Sequence, residues 1–188
     1  MSKGYGQMMR RALTAGLIAL SANTYAVENP DNILGYWRVI DDRSGFAKAI
    51  ARFSKNADGT YVSVVMRTIP RPDYTPIEVC QKCPPPFTNR KVVGMPIVWF
   101  SETNSAKSNE RGWDYVRGHA IDPIQGKIYQ GKARLSPDQR RLVMRGYVGV
   151  SMFGRSQVWI REEADSPLLD GLPKFDPNQK FEIELPAK

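Results

Sequence analysis

The chain has 188 residues, and its 27 lysines and arginines outnumber its 19 aspartates and glutamates, which gives a formal net charge of +8 at pH 7. This length fits one domain with a core large enough to be stable alone. The basic residues are spread along alternating segments as on a solvated sheet face, and they form no contiguous patch with stacking aromatics, which argues against a nucleic-acid partner.

Residues 1–26 have the order of a secretory signal peptide: basic residues, then an apolar run at 12–20, then small polar residues. The run is shorter than the roughly 18 apolar residues that a membrane anchor requires, so we expect no transmembrane segment in the mature chain. Small side chains at Thr24 and Ala26 predict cleavage after Ala26. A periplasmic or secreted protein that starts at Val27 is therefore expected.

Short apolar segments separated by turn residues predict one all-β domain over residues 27–165. The eight predicted strands lie at 35–40, 47–54, 61–67, 97–100, 113–121, 127–135, 142–148 and 151–161. Antiparallel strands joined by mostly short turns favour an up-and-down barrel, because closure removes the exposed sheet edges. The interior of an eight-stranded barrel holds side chains and at most one small ligand.

Alternation along the strands predicts which side chains share a face. On the second strand the shared face carries Ala47, Ala49, Ala51 and Phe53. On the third strand it carries Val62, Val64 and Met66, with Tyr61, Ser63 and Arg67 opposite. On the fifth strand, Trp113, Tyr115, Arg117, His119 and Ile121 share one face, opposite Val116, Gly118 and Ala120.

Two segments fall outside the strand pattern. Residues 68–91 are rich in proline, which disfavours both helix and sheet and predicts a long loop. Within this loop, Cys80 and Cys83 form a C-x-x-C pair that no βαβ pattern surrounds, so a structural disulfide is favoured over a redox role. The tail at 166–188 also contains prolines, and its start permits one short helical turn.

Gly35 and Trp37 near the expected mature start, with an arginine on the last strand, resemble the lipocalin signature. The resemblance implies that this arginine packs across Trp37 and closes one end of the barrel. A cation over an indole face contributes on the order of 1 kcal/mol. Arg155 and Arg161 are both candidates for the closing arginine.

The chain also resembles a family of small exported bacterial proteins of unknown function with a lipocalin-like barrel. The matching residues run in order from the first strand to the last. They are Gly35, Trp37, Asp41, Asp42, Gly45, Cys80, Gln81, Lys82, Cys83, Pro84, Gly94, Met95, Trp99, Gly118, Ile121, Asp122, Pro123, Gly126, Lys127, Ile128, Tyr129, Leu142, Arg145, Gly146, Tyr147, Val148, Gly149, Gly154, Arg155, Gln157 and Trp159. The resemblance implies a fold and an exported location, and it implies no reaction. The proline-rich insertion and the tail depart from the pattern.

Few residues support catalysis or metal binding. His119 is the single histidine, so a Ser-His-Asp or Cys-His centre must use it, and a four-ligand zinc site lacks ligands. Asp41 and Asp42 occupy a turn, where carboxylates usually accept hydrogen bonds from backbone amides. We therefore expect no enzyme, no metal and no cofactor.

Large side chains on the predicted strands are candidates to line a cavity. They are Met66, Trp99, Trp113, Tyr115, Tyr129 and Met144. Two alternatives stay open, a fully packed core and an open cavity; small inward residues such as Ala49 and Ala120 favour the cavity. The first functional hypothesis is binding of an apolar or amphipathic small molecule or lipid in the barrel. The alternative is an interaction module that contacts an envelope or host protein through the Cys80–Cys83 loop and the tail.

Overall fold

The computed structural model describes residues 30–104, 113–179 and 182–186. The predicted signal peptide and its cleavage site lie outside the described residues. The ten strands are β1 (Gly35–Ile40), β2 (Ala47–Lys55), β3 (Tyr61–Thr68), β4 (Val79–Cys80), β5 (Arg90–Lys91), β6 (Pro96–Asn104), β7 (Trp113–Asp122), β8 (Lys127–Leu135), β9 (Arg141–Tyr147) and β10 (Arg155–Arg161). Short 3₁₀ helices at Pro30–Ile33, Ser151–Phe153 and Pro167–Leu169 complete the described elements.

Eight of the strands form one closed antiparallel barrel in the order β1-β10-β9-β8-β7-β6-β3-β2. Each strand pairs with its neighbour along the chain, and the last strand returns to pair with the first. The remaining two strands, β4 and β5, form a separate two-residue hairpin within the proline-rich loop between β3 and β6. The predicted all-β, eight-stranded up-and-down barrel is confirmed.

One end of the barrel is filled and capped, and we call it the closed end. Ile33 of the first 3₁₀ helix is fully buried, and its carbonyl accepts a hydrogen bond from Trp37 Nε1 at 2.8 Å. The guanidinium of Arg161 lies 4.4 Å from the centroid of the Trp37 ring. Arg161 is therefore the closing arginine, whereas Arg155 lies at the start of the same strand, near the opposite end of the barrel.

Aromatic side chains pack the interior beside this closed end. The rings of Phe53 and Phe100 are stacked with 6.2 Å between centroids, and Trp159 tilts against Phe53 at 5.9 Å. Tyr115 contacts both Tyr61 and Phe100. Because such rings bury a large apolar area each, this cluster forms most of the barrel core.

A β-bulge in β7 changes which side chains point inward. The register with β8 shifts between Tyr115 and Gly118, and Arg117 has a positive φ of 49°. Since one extra residue reverses the alternation, Tyr115 and Ala120 both face the interior. The predicted common face of Tyr115 and His119 is therefore wrong, and the His119 ring stacks on Trp99 outside the barrel at 5.4 Å.

Strand β3 is apolar on both faces, for two different reasons. Tyr61 and Val65 belong to the interior core, whereas Val62, Val64 and Met66 point outward. The proline-rich loop covers this outer face with Phe87, Met95 and the cysteines. We call this second apolar layer the outer cluster.

The predicted disulfide between Cys80 and Cys83 is present, with a Cα–Cα distance of 5.5 Å, and both residues are buried in the outer cluster. The residues between the two cysteines pack closely against Gly126, because a Cβ on that glycine would lie 2.0 Å from the carbonyl oxygen of Lys82. The loop is thus packed against both the barrel wall and the β7–β8 turn.

The tail runs along the outside of the barrel across β1, β2 and β3. Glu162 is buried and forms an ion pair with Arg38, and Ser166 donates to the same carboxylate. Arg67 donates to the carbonyl of Leu168 at 2.9 Å. Further along, Ile183 and Leu185 pack on the outer cluster. The predicted helical turn is the 3₁₀ helix Pro167–Leu169, capped by Ser166.

Candidate ligand cavity at the open end of the barrel

A cavity of about 480 Å³ enters the barrel at the end opposite Trp37. Its mouth is bordered by the connections at 41–46, 69–95, 123–126 and 148–154, which all lie at this open end. The volume falls within the range of about 300–1,000 Å³ that small-molecule sites usually have. The space at this end of the barrel favours an open cavity over a fully packed interior.

The inner wall of the cavity is apolar and comes from seven of the eight barrel strands. It consists of Val39, Ala49, Val65, Val98, Ala120, Met144 and Trp159. Ala49 pairs across the ladder with both Val39 and Thr68, so a small side chain faces the interior at a level where larger residues flank it. Small residues such as Ala49 and Ala120 leave space that the neighbouring side chains do not fill.

The mouth of the cavity is polar and carries charges of both signs. Arg155 donates to Asp42 with a distance of 2.6 Å, and Lys48 lies 3.8 Å from Asp41. Gln157, on the same face of β10 as Arg155, follows one step deeper. Along this face of β10 the side chains become less polar with depth: the charged Arg155 lies at the mouth, the amide of Gln157 lies below it, and the indole of Trp159 lies deepest.

Asp41 is held in place by its own turn. Its carboxylate accepts hydrogen bonds from the backbone N–H of Ser44 at 2.9 Å and of Arg43 at 3.1 Å, and from the Ser44 hydroxyl at 3.0 Å. These bonds, led by the one from Ser44 N–H, lower the pKa of Asp41 below its ordinary value, and Lys48 adds to the effect. Asp41 is therefore ionised at neutral pH and fixes the edge of the mouth.

The proline-rich loop supplies another side of the cavity. Tyr74, Pro76, Ile77 and Val92 line it, and burial is the largest cause of the raised pKa of the Tyr74 phenol. Val92 joins the interior core directly. The loop therefore contributes to the site itself, in addition to covering the outer face of β3.

Trp159 provides a buried polar group beside the cavity. It is 1% exposed, and in the part of the chain that the structure describes nothing accepts a hydrogen bond from its indole Nε1. A buried indole N–H usually has an acceptor, because leaving a donor unpaired costs about 1–3 kcal/mol. Among the cavity residues described here, Trp159 is the one with a buried side-chain N–H that lacks an acceptor.

The six side chains that the sequence predicted to line a cavity lie in different parts of the structure. Tyr129 and Met144 lie at the cavity. Tyr115 lies among the core aromatics instead. Met66 and Trp99 point outward and pack in the outer cluster, where the proline-rich loop covers their apolar side chains. The side chain of Trp113 lies outside the described residues, although β7 begins at this position.

Several cavity residues escaped prediction. Asp41 and Asp42 were recognised mainly as turn residues, and Arg155 was considered only for closing the barrel. The small residues Ala49 and Ala120 and the large residues Tyr129 and Met144 were the sequence signals that pointed to the correct wall. Tyr74 and Ile77 belong to a segment without any period, so no pattern placed them. Among the described residues, no group of three histidine, cysteine or acidic side chains is arranged to hold a metal ion.

Comparisons with known proteins place the fold in context. A family model described as "Uncharacterized protein conserved in bacteria" (DUF2147) matches residues 35–161. A solved structure of protein HP1028 from the human pathogen Helicobacter pylori, described as belonging to the lipocalin family, aligns with a TM-score of 0.54 at 16% identity. The alignment covers 70% of this chain and 83% of HP1028. No curated protein matches the chain. None of the helices among the described residues is long and apolar enough to cross a membrane.

Proposed function

Because the chain belongs to this bacterial family, whose model spans the whole barrel from β1 to β10, we propose that it binds one apolar or amphipathic small molecule in the open-end cavity. The observation that carries the proposal is a space of about 480 Å³ with an apolar inner wall and a charged mouth. An apolar body gains free energy by leaving water against that wall, at roughly 25 cal/mol per Å² buried. A polar head remains at the mouth.

The polar groups at the mouth select the kind of head that fits. Asp42 and Arg155 already neutralise each other, and Lys48 faces Asp41. A ligand with a single strong charge therefore meets charges of both signs, whereas a neutral, hydrogen-bonding or zwitterionic head meets partners for each of its groups. The proposed ligand class is an amphipathic molecule without a large net charge.

The proposed role is binding without catalysis. His119, the single histidine, stacks on Trp99 outside the barrel, on the other side of the wall from the cavity. General acid–base catalysis needs a titrating group within hydrogen-bond reach of the reacting atoms. The ionised Asp41 accepts three hydrogen bonds from its own turn, and these bonds stabilise the turn at the mouth of the cavity.

Filling the cavity tests the proposal. N-phenyl-1-naphthylamine, an apolar dye that fluoresces when it leaves water, should bind the wild type saturably. In the Ala49→Phe variant a ring occupies the space, so we expect binding weaker by about tenfold or more. Val158→Phe is the matched control, because it adds the same side chain on the outer wall. Equal dye binding by the wild type and Ala49→Phe, with both variants folded by circular dichroism, would contradict the proposal.

Export is part of the same proposal. A disulfide such as Cys80–Cys83 persists in oxidising compartments and is rare in the reducing cytosol. The residues at 1–26, with their basic start and apolar run, support the same location. Cell fractionation of the bacterial host tests it: the mature protein should be in the periplasmic or culture fraction, with Val27 at its N-terminus by Edman sequencing.

The alternative role, contact with an envelope or host protein through the Cys80–Cys83 loop and the tail, has less support. Both segments pack apolar side chains against the barrel, as Phe87 and Ile183 do. Their described contacts are those of a cover. We therefore place the cavity first.

A further inference from the structure

The exposed apolar side chains are concentrated at the mouth of the cavity. Eight large apolar residues are exposed among those described; one of them, Val93, lies in the proline-rich loop, and five others lie on the short connections at the open end. These five are Phe46, Ile124, Val148, Val150 and Met152, which we call the rim. They come from three separate connections, so the feature belongs to this end of the barrel as a whole.

The rim residues are highly exposed. Phe46 is 60% exposed, Ile124 is 56% exposed and Met152 is 80% exposed. Scattered single apolar residues on a surface need no explanation, whereas a group gathered around an opening marks an interaction site for a protein or a membrane. Ile124 and Val148 also border the cavity directly.

The connection between β9 and β10 holds its apolar residues in an ordered arrangement. Arg145 donates to the carbonyls of Ser151 at 2.6 Å and Met152 at 2.9 Å, and to the Ser156 hydroxyl at 3.0 Å. Three charge-assisted hydrogen bonds from one guanidinium fix the 3₁₀ helix that carries Met152. The exposure of Met152 is thus imposed by the fold.

Phe46 is supported in a similar way from the proline-rich loop. The guanidinium of Arg71 lies 4.9 Å from the centroid of Phe46 and 5.4 Å from that of Tyr74, so it is held between the two rings. Asp73 accepts from Arg71 Nε at 3.1 Å and completes the arrangement. A cation between aromatic rings adds on the order of 1 kcal/mol and joins two loops of the open end.

The charge at the open end is positive. The segments 41–48, 69–95, 122–127 and 148–155 contain eight basic and five acidic residues. Two of the acids, Asp42 and Asp73, form ion pairs with arginines of the same end.

Five of the bases lack a carboxylate partner. They are exposed and have no carboxylate within ion-pair distance in the ranges that the structure describes: Arg43, Lys82, Arg90, Lys91 and Lys127. They remain available to anions in solution.

We propose that the open end of the barrel docks on the surface of a bilayer that contains anionic phospholipid. The rim side chains enter the boundary between headgroups and acyl chains, and the basic residues beside them contact lipid phosphates. Each basic residue near an anionic leaflet contributes about 1 kcal/mol, and buried apolar area adds to it. Lysine is depleted at protein–protein interfaces, so Lys82 and Lys127 beside the apolar tips favour lipid as the occupant.

Vesicle sedimentation tests the proposal with the protein as its bacterial host produces it. Vesicles of phosphatidylcholine with about one third phosphatidylglycerol should bind the wild type, and binding should fall in pure phosphatidylcholine or at high salt. A rim variant with Phe46→Ser, Val150→Ser and Met152→Ser, three positions that do not line the cavity, should bind at least about tenfold more weakly. These positions are exposed, so the fold should persist, which circular dichroism checks.

The barrel wall offers a matched control. Val143 and Val158 pair across β9 and β10 and are 43% and 39% exposed, on the outer face away from the mouth. The variant Val143→Ser with Val158→Ser removes exposed apolar area without touching the rim, so its vesicle binding should stay within about twofold of the wild type. A second variant, Arg43→Glu with Lys127→Glu, should lose the preference for anionic vesicles.

Three outcomes would overturn docking: no binding of the wild type to anionic vesicles, equal binding by the wild type and the rim variant, or rim-dependent capture of a protein in vesicle-free solution with no vesicle binding. The test is separate from that of the cavity. Ala49→Phe should keep vesicle binding while it loses the dye, and the rim variant should keep dye binding in solution.

Discussion

Arg161 stabilises the closed end of the barrel through hydrogen bonds as well as through its position on Trp37. Its guanidinium donates to the carbonyl oxygens of Gln139 at 2.7 Å and Leu34 at 3.0 Å, and also to that of Asn32. It thereby joins the β8–β9 turn, the segment before β1 and the last strand. A planar fork with five donors can make these contacts at once, whereas an ammonium cannot.

We predict that Arg161→Lys lowers the free energy of unfolding by about 1–3 kcal/mol, because an ammonium cannot reach all three carbonyls at once and does not stack on the Trp37 ring as a planar guanidinium does. Arg155→Lys is the matched control on the same strand; its ion pair with Asp42 is solvent-exposed, so its loss should cost less than about 1 kcal/mol. Urea titration followed by tryptophan fluorescence measures both. Equal losses in the two variants would show that Arg161 has no special closing role.

Asp41 gives the stability of the protein a dependence on pH. Its folded-state pKa is lowered by hydrogen bonds from its turn, so it stabilises the fold above its ordinary pKa of 3.8, and this contribution disappears as the pH falls through the folded-state value. Asp41→Asn should therefore unfold more easily at pH 6, by about 1 kcal/mol.

Measurement of thermal unfolding for both proteins from pH 6 down to pH 2.5 checks this dependence. The difference between wild type and Asp41→Asn should shrink as the pH falls, because the wild-type carboxyl becomes protonated. Asp58→Asn is a useful comparison, because Asp58 also accepts a backbone hydrogen bond in a turn, from Thr60 N–H at 2.9 Å, but lies at the closed end. A difference that stays constant with pH would contradict the assignment to Asp41.

Among the elements, the β7–β8 ladder has a position where two glycines face each other. Gly118 pairs with Gly131, and a Cβ on Gly118 would lie 2.2 Å from the Phe100 ring and 2.7 Å from the carbonyl oxygen of Trp99. A Cβ on Gly131 would have its nearest neighbour at 3.4 Å. The close approach of Phe100 to the β7 backbone therefore depends on Gly118 alone.

We predict that Gly118→Ala destabilises the protein by about 1–3 kcal/mol, because the core aromatics must move to admit the methyl group. Gly131→Ala, at the paired position, should change the stability by less than about 1 kcal/mol. Chemical denaturation compares the two variants. A destabilisation by Gly131→Ala that equals or exceeds that of Gly118→Ala would contradict this account of the ladder.

The strands themselves were predictable because each carries a local signal. Asp58 and Gly59 mark the β2–β3 turn, and Ala49, Ala51 and Phe53 keep their alternation, as their interior positions confirm. The bulge at Arg117 was missed although Gly118 follows it, because a glycine inside a strand is a weak signal that can equally mark a bend or a close approach of another backbone. One inserted residue was enough to reverse the faces of Tyr115 and His119.

The cavity was predictable only in part. Small residues on β2 indicated unfilled space, but the wall contributed by Tyr74 and Ile77 depends on how the proline-rich loop folds back. That path is decided by long-range packing against Val62 and Val64, to which local propensity does not respond. Met66 and Trp99 were assigned to the interior because a cover on the outer wall has no local signature.

At the scale of the whole molecule, the tail completes the outer surface. The Tyr36 hydroxyl donates to the Pro173 carbonyl, and the Tyr36 ring meets Phe175 edge-on at 6.5 Å. Asn56 Nδ2 donates to the Ile183 carbonyl at 3.2 Å, near the turn that follows β2. The segment therefore has to be present for the outer faces of β1–β3 to be shielded from water.

We predict that truncation after Asp165 lowers the free energy of unfolding by about 2–4 kcal/mol. Apolar area on the barrel becomes exposed to water, and the hydrogen bonds that Arg67 and Tyr36 donate to the tail are lost. The truncated protein should also bind 1-anilinonaphthalene-8-sulfonate on its outer wall. The Ala49→Phe change in the truncated background distinguishes this signal from dye in the cavity. Unchanged unfolding and no added dye signal would show that the tail is dispensable.

The pairing of β1 with β10 sets a limit on when the barrel can form. Trp37 lies opposite Arg161 in the ladder, so the first strand keeps an unpaired edge until nearly all of the domain has been synthesised. Contacts between residues so far apart in the chain form late, because loop closure costs entropy before any pairing repays it. A nascent chain therefore cannot close its sheet part-way through translation. The barrel remains open until the ribosome has synthesised the last strand.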